Sequence, residues 1–336
     1  MTQDPILLMG GSGAIGRLTA QALRASHPEA PLLISGRDAG KSRAAARELG
    51  NAQGVAIASR AEDLGLGERK IGAVAVFYSD ERLAGLSYAH ARGIPHLGIS
   101  SGIYEIAPEV ATYMNAPQAA AIVLGYEWLV GATTVATLAC ARRFARVDTI
   151  SIGALVDEED GGGPAVAEDF ERLARMMPAA LTRRDGAYIW RSGDAARSRF
   201  HAIDGTAVEA TGFSSIDVAG LATATGARNV SFDLAKGVSS SRRSGDARST
   251  EIIIELEGRD GRGNPLRTRH GVFHPGGAAP LTALGTSMIL ERLAGLDGKA
   301  PAAPGLYFPY QLLDEDAYVA RLNDAGGRIV ELELIG

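Results

Sequence analysis

The sequence predicts an α/β chain: a doubly wound parallel sheet of Rossmann type, with an inserted α+β domain built on a mainly antiparallel sheet. Three observations carry this. Short apolar runs alternate with helical patterns across the first third of the 336 residues, the texture of parallel strands buried on both faces. The first run leads through glycines directly into a helical pattern. After about Gly125 the texture changes to alternating segments punctuated by turn residues, which suits antiparallel pairing.

The elements follow in order. Ile6-Leu7-Leu8-Met9 is an apolar strand, and 17–25 reads as a helix after the glycines. Residues 31–35 are a second strand, ended by Gly36-Arg37-Asp38; 39–49 is a helix with Asp38 as N-cap and Gly50 as C-cap. A short strand is expected at 54–58, a buried strand at 73–77, a helix at 82–92, and strands at 94–99 and 120–124. Beyond the change in texture, a helix is expected at 133–144, a strand at 147–155 and a helix at 166–181. Strands follow at 187–190, 198–203, 206–210 and 228–234. Residues 252–256 and 266–273 flank 258–264, a hairpin turn. Residues 280–294 read as a helix that closes the core, and the Ser-rich stretch 239–245 as a mobile loop. The expected division is 1–125 as a dinucleotide-binding domain completed by 278–336, with 126–277 as an α+β substrate-binding and dimerisation domain.

Composition narrows the function classes. A net charge of -5 supplies no strong basic field, which argues against nucleic acid as a partner. A single cysteine, Cys140, allows no internal disulfide and suits a reducing cytoplasm. The start of the chain has no basic segment before an apolar one, so no signal peptide is expected. The apolar stretch 119–141 is broken by Glu127 and by glycines and threonines, and divides into strand, turn and helix rather than a membrane span. A soluble, cytoplasmic protein without membrane contact is expected.

Gly11, Gly13 and Gly16 fit GxGxxG, the strand-turn-helix fingerprint that sets a dinucleotide pyrophosphate on a helix N-terminus. Gly11 is assigned the tight turn, Gly13 the close approach of phosphate, and Gly16 the close packing of helix on strand. With Ser12, Ala14 and Ile15 these residues form the expected cofactor cradle, whose free N–H groups and helix dipole attract phosphate. NAD-specific sheets place an Asp or Glu at the end of the second strand, about 20 residues on. Here that position is Ser35, followed by Arg37 and Lys41. A hydroxyl and two cations suit the roughly -1.5 to -2 charges of a 2′-phosphate. NADP(H) is therefore preferred, with NAD(H) still open through Asp38.

With these features in place, the chain resembles the saccharopine dehydrogenase-like oxidoreductases over most of its length. The likeness rests on GGSGAIG followed by SGRD, on VAVFYSD, on ARGIPHLGIS, and on the closing APGLYFPYQLLDEDAYVARLNDAG. It implies a Rossmann domain, an inserted α+β substrate domain and a helical return to the first domain. It also implies NAD(P)-linked oxidation or reduction at a carbon bearing nitrogen. One departure leaves the substrate open. Members commonly carry Gly-x-x-Pro-Gly where the sheet hands over to the second domain, whereas here the stretch is Gly125-Tyr126-Glu127-Trp128-Leu129-Val130-Gly131.

Ligands of open α/β sheets bind beyond the carboxyl ends of the strands. That directs attention to Tyr78 and Ser79, to Ser101, and to Tyr126 and Glu127. The last two are the catalytic candidates, for keeping a substrate nitrogen protonated and for stabilising its charge; the bland reading has Glu127 capping the next helix and Tyr126 packing beneath it. No Cys, His, Asp or Glu cluster has metal-ligand spacing, so no metal is expected. Arg191, Arg197, Arg199, Arg228, Arg242, Arg243 and Arg248 are the candidates to anchor a substrate carboxylate. A carbonyl or activated C=C reductase and a non-enzymatic NADP-binding sensor remain alternatives. A small-molecule substrate and a homodimer complete the expectation.

Overall fold

The computed structural model describes residues 3–335 apart from 101, 104, 162–167, 169, 170, 173, 174 and 176–178. The chain divides into two compact units: Met1–Tyr126 with Thr282–Leu313, and Glu127–Leu281 with Asp314–Gly336.

The first unit is a Rossmann-type layer. Its strands are β1 (Ile6–Met9), β2 (Leu32–Ser35), β3 (Ala52–Val55), β4 (Ala73–Val76), β5 (His96–Gly98), β6 (Ala121–Leu124) and β15 (Gly305–Tyr307). They lie in the order β15-β6-β5-β4-β1-β2-β3, and every neighbouring pair is parallel. Helices α1 (Ala14–Ser26), α2 (Ala39–Leu49), α3 (Ala84–Ala91) and α4 (Ala107–Asn115) connect them. Every residue of β1, β2, β4 and β6 is buried, which explains their apolar sequences, broken only by Ser35 at the end of β2. The chain fills one side of β1 with β2 and β3, then crosses to the other side with β4. The strand order therefore reverses beside β1, the point at whose carboxyl ends open α/β sheets generally take their ligands.

The second unit is built on a nine-stranded mixed sheet. Its strands are β7 (Arg146–Asp157), β8 (Ala179–Arg184), β9 (Ala187–Ser192), β10 (Arg197–His201), β11 (Ala207–Gly212), β12 (Asn229–Gly237), β13 (Thr250–Arg259), β14 (Pro265–His274) and β16 (Arg328–Leu332). Among the described residues only β12 and β7 pair in parallel; the other pairs are antiparallel, as the texture of the sequence predicts. The hairpin expected around 258–264 joins β13 to β14. Helices α5 (Ala132–Ala141), α6 (Asp217–Thr225), α7 (Ser240–Arg243) and α9 (Glu315–Asp324) belong here, while α8 (Ala278–Leu293) runs across the division. Among the described residues no helix is long and apolar enough to cross a membrane.

Three expectations change. Residues 314–336 belong to the second unit instead of completing the first, because β16 pairs with β14 and Arg142 of α5 holds Glu315 of α9 at 2.7 Å. The helix expected over 166–181 lies largely outside the described residues, and its last three positions are strand β8. The Ser-rich stretch is not a loose loop but contains α7. The buried Asp157 carboxylate accepts the Ser239 N–H at 2.8 Å, and the buried Glu251 carboxylate accepts the Ser240 N–H and hydroxyl. Serines read as solvated from composition are here donors to two buried acids.

Candidate functional site

The glycine turn follows β1 directly, at the reversal point of the sheet. Gly10 takes the left-handed conformation at φ 89° and turns the chain, so the tight turn assigned to Gly11 falls one residue earlier. A β-carbon on Gly16 would stand 2.6 Å from the Gly10 carbonyl oxygen, so helix and turn meet only because Gly16 has none. Gly13 is the N-cap of α1, exposed, and no side chain caps this end. Among the described residues nothing accepts the N–H groups of Ala14, Ile15 and Gly16. Ser12 lies against Gly36 at the end of β2, its Oγ 2.1 Å from where a β-carbon of Gly36 would be. The turn after β1 and the turn after β2 thus touch.

At the end of β2 the expected signature separates into parts. Ser35 is buried and its hydroxyl donates to the Leu8 carbonyl at 3.4 Å. Asp38 accepts from the Gly40 and Lys41 N–H groups at 2.7 and 3.0 Å. Those backbone bonds hold its carboxyl below the usual range. It caps α2, which weakens its claim to a ribose hydroxyl. Arg37 and Lys41 are exposed, and among the described residues no hydrogen bond or ion pair engages either side chain. Two exposed cations thus stand just past the end of β2.

Tyr78, just after β4, packs on the turn itself: its Cδ1 is 3.1 Å from the β-carbon position of Gly10. Burial, helped by the charge of Asp80, pushes its hydroxyl up to about 12, so it stays protonated. Asp80 in turn accepts the Gly85 N–H at the start of α3, at 2.9 Å. Ser79 is half-buried next to it. Ser101 lies outside the described residues.

The ends of β5 and β6 form a polar cluster. Tyr126 reaches back over Gly98, its hydroxyl 2.7 Å from the β-carbon position of that residue, and donates to the buried Glu109 carboxylate of α4. His96 shares that face of β5, its Cε1 3.5 Å from the same point. It is buried and its Nδ1 has no partner among the described residues; desolvation drives it down to about 3, so the ring is neutral. In the second unit, the buried Glu127 carboxylate accepts from the Thr134 hydroxyl at 2.6 Å, which ties it to the first turn of α5. The Trp128 N–H donates to Asp217 at 2.7 Å. Desolvation pushes Asp217 up to about 6 against the Ser215 and Trp128 bonds that oppose it.

The candidate arginines of the second unit are mostly taken. Arg191 pairs with Asp233 at 2.9 Å, Arg197 with Asp194 at 3.4 Å, Arg199 with Glu209, and Arg243 with Asp204 at 2.7 Å. Arg242 holds Asp157, Glu158 and Glu159, and Arg248 stands 4.0 Å from Asp160. Arg228 reaches the Asp185 carbonyl at 3.5 Å. His274 accepts the Gly276 N–H on Nδ1 at 2.9 Å, which leaves Nε2 to donate to the Ala325 carbonyl at 3.1 Å. Among the described residues no group of three or more His, Cys, Asp or Glu could hold a metal.

The sequence reading missed Gly10, Glu109 and Asp217. Gly10 was legible, because GGSG offers two candidates for the positive-φ position. Glu109 and Asp217 carry no local signal, since each gains its place through a contact remote in sequence.

Fold and turn together define a two-domain Rossmann-type chain. No family model matches the chain, and no curated protein matches it. Among solved structures it is similar to apo saccharopine dehydrogenase (L-Glu forming) from Saccharomyces cerevisiae, with a TM-score of 0.67, 14% identity, and 99% of this chain and 100% of that one covered. A myo-inositol dehydrogenase from Corynebacterium glutamicum gives a TM-score of 0.48 at 14% identity, covering 99% and 100%. The myo-inositol dehydrogenase from Lactobacillus casei, solved with NAD(H) and myo-inositol, gives 0.48 at 10%, covering 100% and 98%. At such identities the likeness to the yeast enzyme establishes the two-domain fold.

Proposed function

We propose that this chain is an NADP-dependent oxidoreductase that reduces an imine, or oxidises the matching amine, on a small substrate. The single observation that carries the dinucleotide part is the glycine turn at the reversal point of the sheet, with unaccepted N–H groups at the start of α1. The residues fit such a group. Gly11, Ser12, Gly13, Ala14, Ile15 and Gly16 would hold its pyrophosphate by backbone donors, and Arg37 and Lys41 its 2′-phosphate. Tyr78, Ser79 and Ser101 would border the nicotinamide, which supplies or accepts a hydride when bound.

The chain's own side chains then manage a proton and a charge. The Tyr126 hydroxyl, held by Glu109, is the group to keep a proton at the reacting nitrogen. The Glu127 carboxylate is the group to stabilise positive charge there. The C–N assignment is supported by the sequence resemblance and by the fold shared with the yeast saccharopine dehydrogenase. A homodimer belongs to the same reading, since Tyr188 and Trp190 stand exposed on β9, which among the described residues pairs only with β8. Sedimentation of a monomer would remove that part.

The test is a fluorescence titration with NADPH and NADH on the protein and on Arg37→Ala, followed by turnover on amines, imines and carbonyls. Preference for NADPH that disappears in the variant, with turnover on a C–N substrate, is the expected result. Turnover on carbonyls alone would reassign the reaction. A second reading, a dinucleotide-binding sensor, draws support from Tyr126 and Glu127 both being hydrogen-bonded within the protein. Nucleotide binding without turnover, unchanged by Glu127→Gln, would favour it.

A further inference from the structure

After Glu127 the chain takes three left-handed residues in a row: Leu129 at φ 54°, Val130 at φ 56° and Gly131 at φ 91°. Glycine takes that conformation freely, but for leucine it is unfavourable and for a β-branched valine it is an outlier that the surroundings must enforce. Within the elbow, the Val130 N–H donates to the Glu127 carbonyl at 2.8 Å. The elbow is also held from outside. Asp217, the first residue of α6 and wholly buried, accepts the Trp128 N–H at 2.7 Å. The Trp128 ring meets Phe213 edge-on at 5.5 Å and Phe232 at 5.6 Å. Beyond the elbow, Thr134 fastens the Glu127 carboxylate.

A carboxylate is a costly way to fill this place. Its second oxygen, Oδ1, has no hydrogen-bond partner among the described residues, and burying such an oxygen opposes folding. The side chain does not cap α6, whose N-cap is Ile216; its other oxygen accepts both the Trp128 N–H and the Ser215 hydroxyl, and a neutral Asn would offer an acceptor there without burying charge. The acid sits where a strained backbone needs a strong acceptor, and charge-assisted hydrogen bonds are roughly twice as strong as neutral ones.

We propose that Asp217 is a positioning residue: by accepting the Trp128 N–H it locks residues 129–131 left-handed and so fixes where the Glu127 carboxylate stands. The proposal rests on the reading of Glu127 as the charge-stabilising group. Without Asp217 the elbow relaxes toward right-handed or extended backbone, and Glu127 moves with it. A glycine at 129 removes much of the penalty for the left-handed form, so the elbow should then keep its shape without Asp217.

The chain has two tryptophans, so Trp190→Phe leaves Trp128 as the reporter. In that background Asp217→Ala is expected to raise acrylamide quenching of Trp128 roughly threefold or more as the elbow opens. Adding Leu129→Gly is expected to return quenching to the wild-type level. Helix capping alone would not be repaired by a change at 129. Unchanged quenching in Asp217→Ala, or no restoration by Leu129→Gly, overturns the proposal. Should Asp217→Ala not fold, recovery of the folded double variant supports it and failure of the double variant overturns it.

Where turnover is measurable, kcat should fall in Asp217→Ala with KM unchanged and return with Leu129→Gly; an unchanged kcat beside a raised quenching would overturn the link to Glu127. Nucleotide titration of the same proteins separates the two levels. Absent NADPH binding by the wild type would sink the proposed function and leave the quenching result for the elbow standing.

Discussion

The backbone N–H of Trp128 and the carboxylate of Asp217, 89 residues apart in the chain, meet at 2.7 Å inside the second unit. The acid is completely buried, so this hydrogen bond is made where a charge is expensive. The first prediction concerns that cost. In an unfolded chain an aspartate titrates near 3.9, whereas here burial raises it to about 6. Between those values the folded state binds more protons. Its contribution to stability is therefore complete below about pH 4 and is lost as pH rises through 6. A shift of about two pKa units corresponds to about 3 kcal/mol above pH 6. Asp217→Asn keeps an acceptor for Trp128 and removes the charge. It should be more stable than wild type by up to that amount at pH 7.5, and not at pH 4, in urea unfolding. A variant less stable at pH 7.5 would contradict this sign.

His96 works in the opposite direction. It sits buried within β5, in register with Val74 of β4 and Ile122 of β6, and desolvation holds it down to about 3. An unfolded histidine titrates near 6.5. As pH falls from 6.5 toward 3 the unfolded chain takes up a proton that the folded chain refuses, so stability declines across that window. His96→Leu removes this linkage, and its stability between pH 6 and 4 should fall less steeply than that of wild type. Parallel acid limbs for the two proteins would mean that His96 accepts a proton in the folded state.

What could be read in advance divides along physical lines. The parallel sheet was legible because four of its strands are buried at every position, which leaves apolar runs at Ile6–Met9, Ala73–Val76 and Ala121–Leu124 and one in β2 broken only by its last residue, Ser35. The glycine turn was legible because the close approach of helix to turn at Gly16 admits only glycine. The placement of Ser35 was not legible, because a strand-end hydroxyl looks the same in sequence whatever it meets; here it donates to the Leu8 carbonyl. The Ser-rich stretch misled because composition reports polarity and not partners; Asp157 and Glu251 come from other strands to meet it. The same holds for Asp217, whose partner is set by the packing of the second unit and by no local pattern.

The glycine turn gives a third prediction through two substitutions that should behave differently. A β-carbon at Gly13 would meet only the Gly10 carbonyl oxygen, at 3.2 Å, and the residue is exposed with a backbone that any residue adopts. At Gly16 the same carbon would stand 2.6 Å from both the Gly10 oxygen and the Gly11 Cα. Gly13→Ala should therefore fold normally, with stability within about 1 kcal/mol of wild type, while NADPH affinity falls at least roughly tenfold as the methyl group blocks phosphate approach. Gly16→Ala should lose about 2 kcal/mol or more of stability through backbone overlap. Thermal unfolding and nucleotide titration of the pair separate the two duties. Full NADPH affinity in Gly13→Ala would remove phosphate from this turn.

Arg242 gives the last prediction, and it concerns the second unit alone. Asp157 is wholly buried at the end of β7, and its partners are the Ser239 N–H, the Glu159 N–H and the Arg242 guanidinium, each within 3.0 Å. Burial alone would raise its pKa, but these bonds together bring it down to about 2. Removing Arg242 leaves a buried carboxylate with backbone donors but no cation, and frees Glu158 and Glu159 to repel it. Losing one partner of a buried pair costs far more than losing a surface contact, because the remaining charge cannot be rehydrated without opening the fold. Arg242→Ala should cost about 2 to 4 kcal/mol at pH 7. Part of that loss should be recovered near pH 4, where the uncompensated Asp157 takes a proton. Arg242→Lys should restore only part, since one ammonium cannot reproduce the fork that reaches three carboxylates. Denaturant unfolding at pH 4 and pH 7 tests both statements. A loss below about 0.5 kcal/mol at pH 7 would class Arg242 with ordinary surface charges.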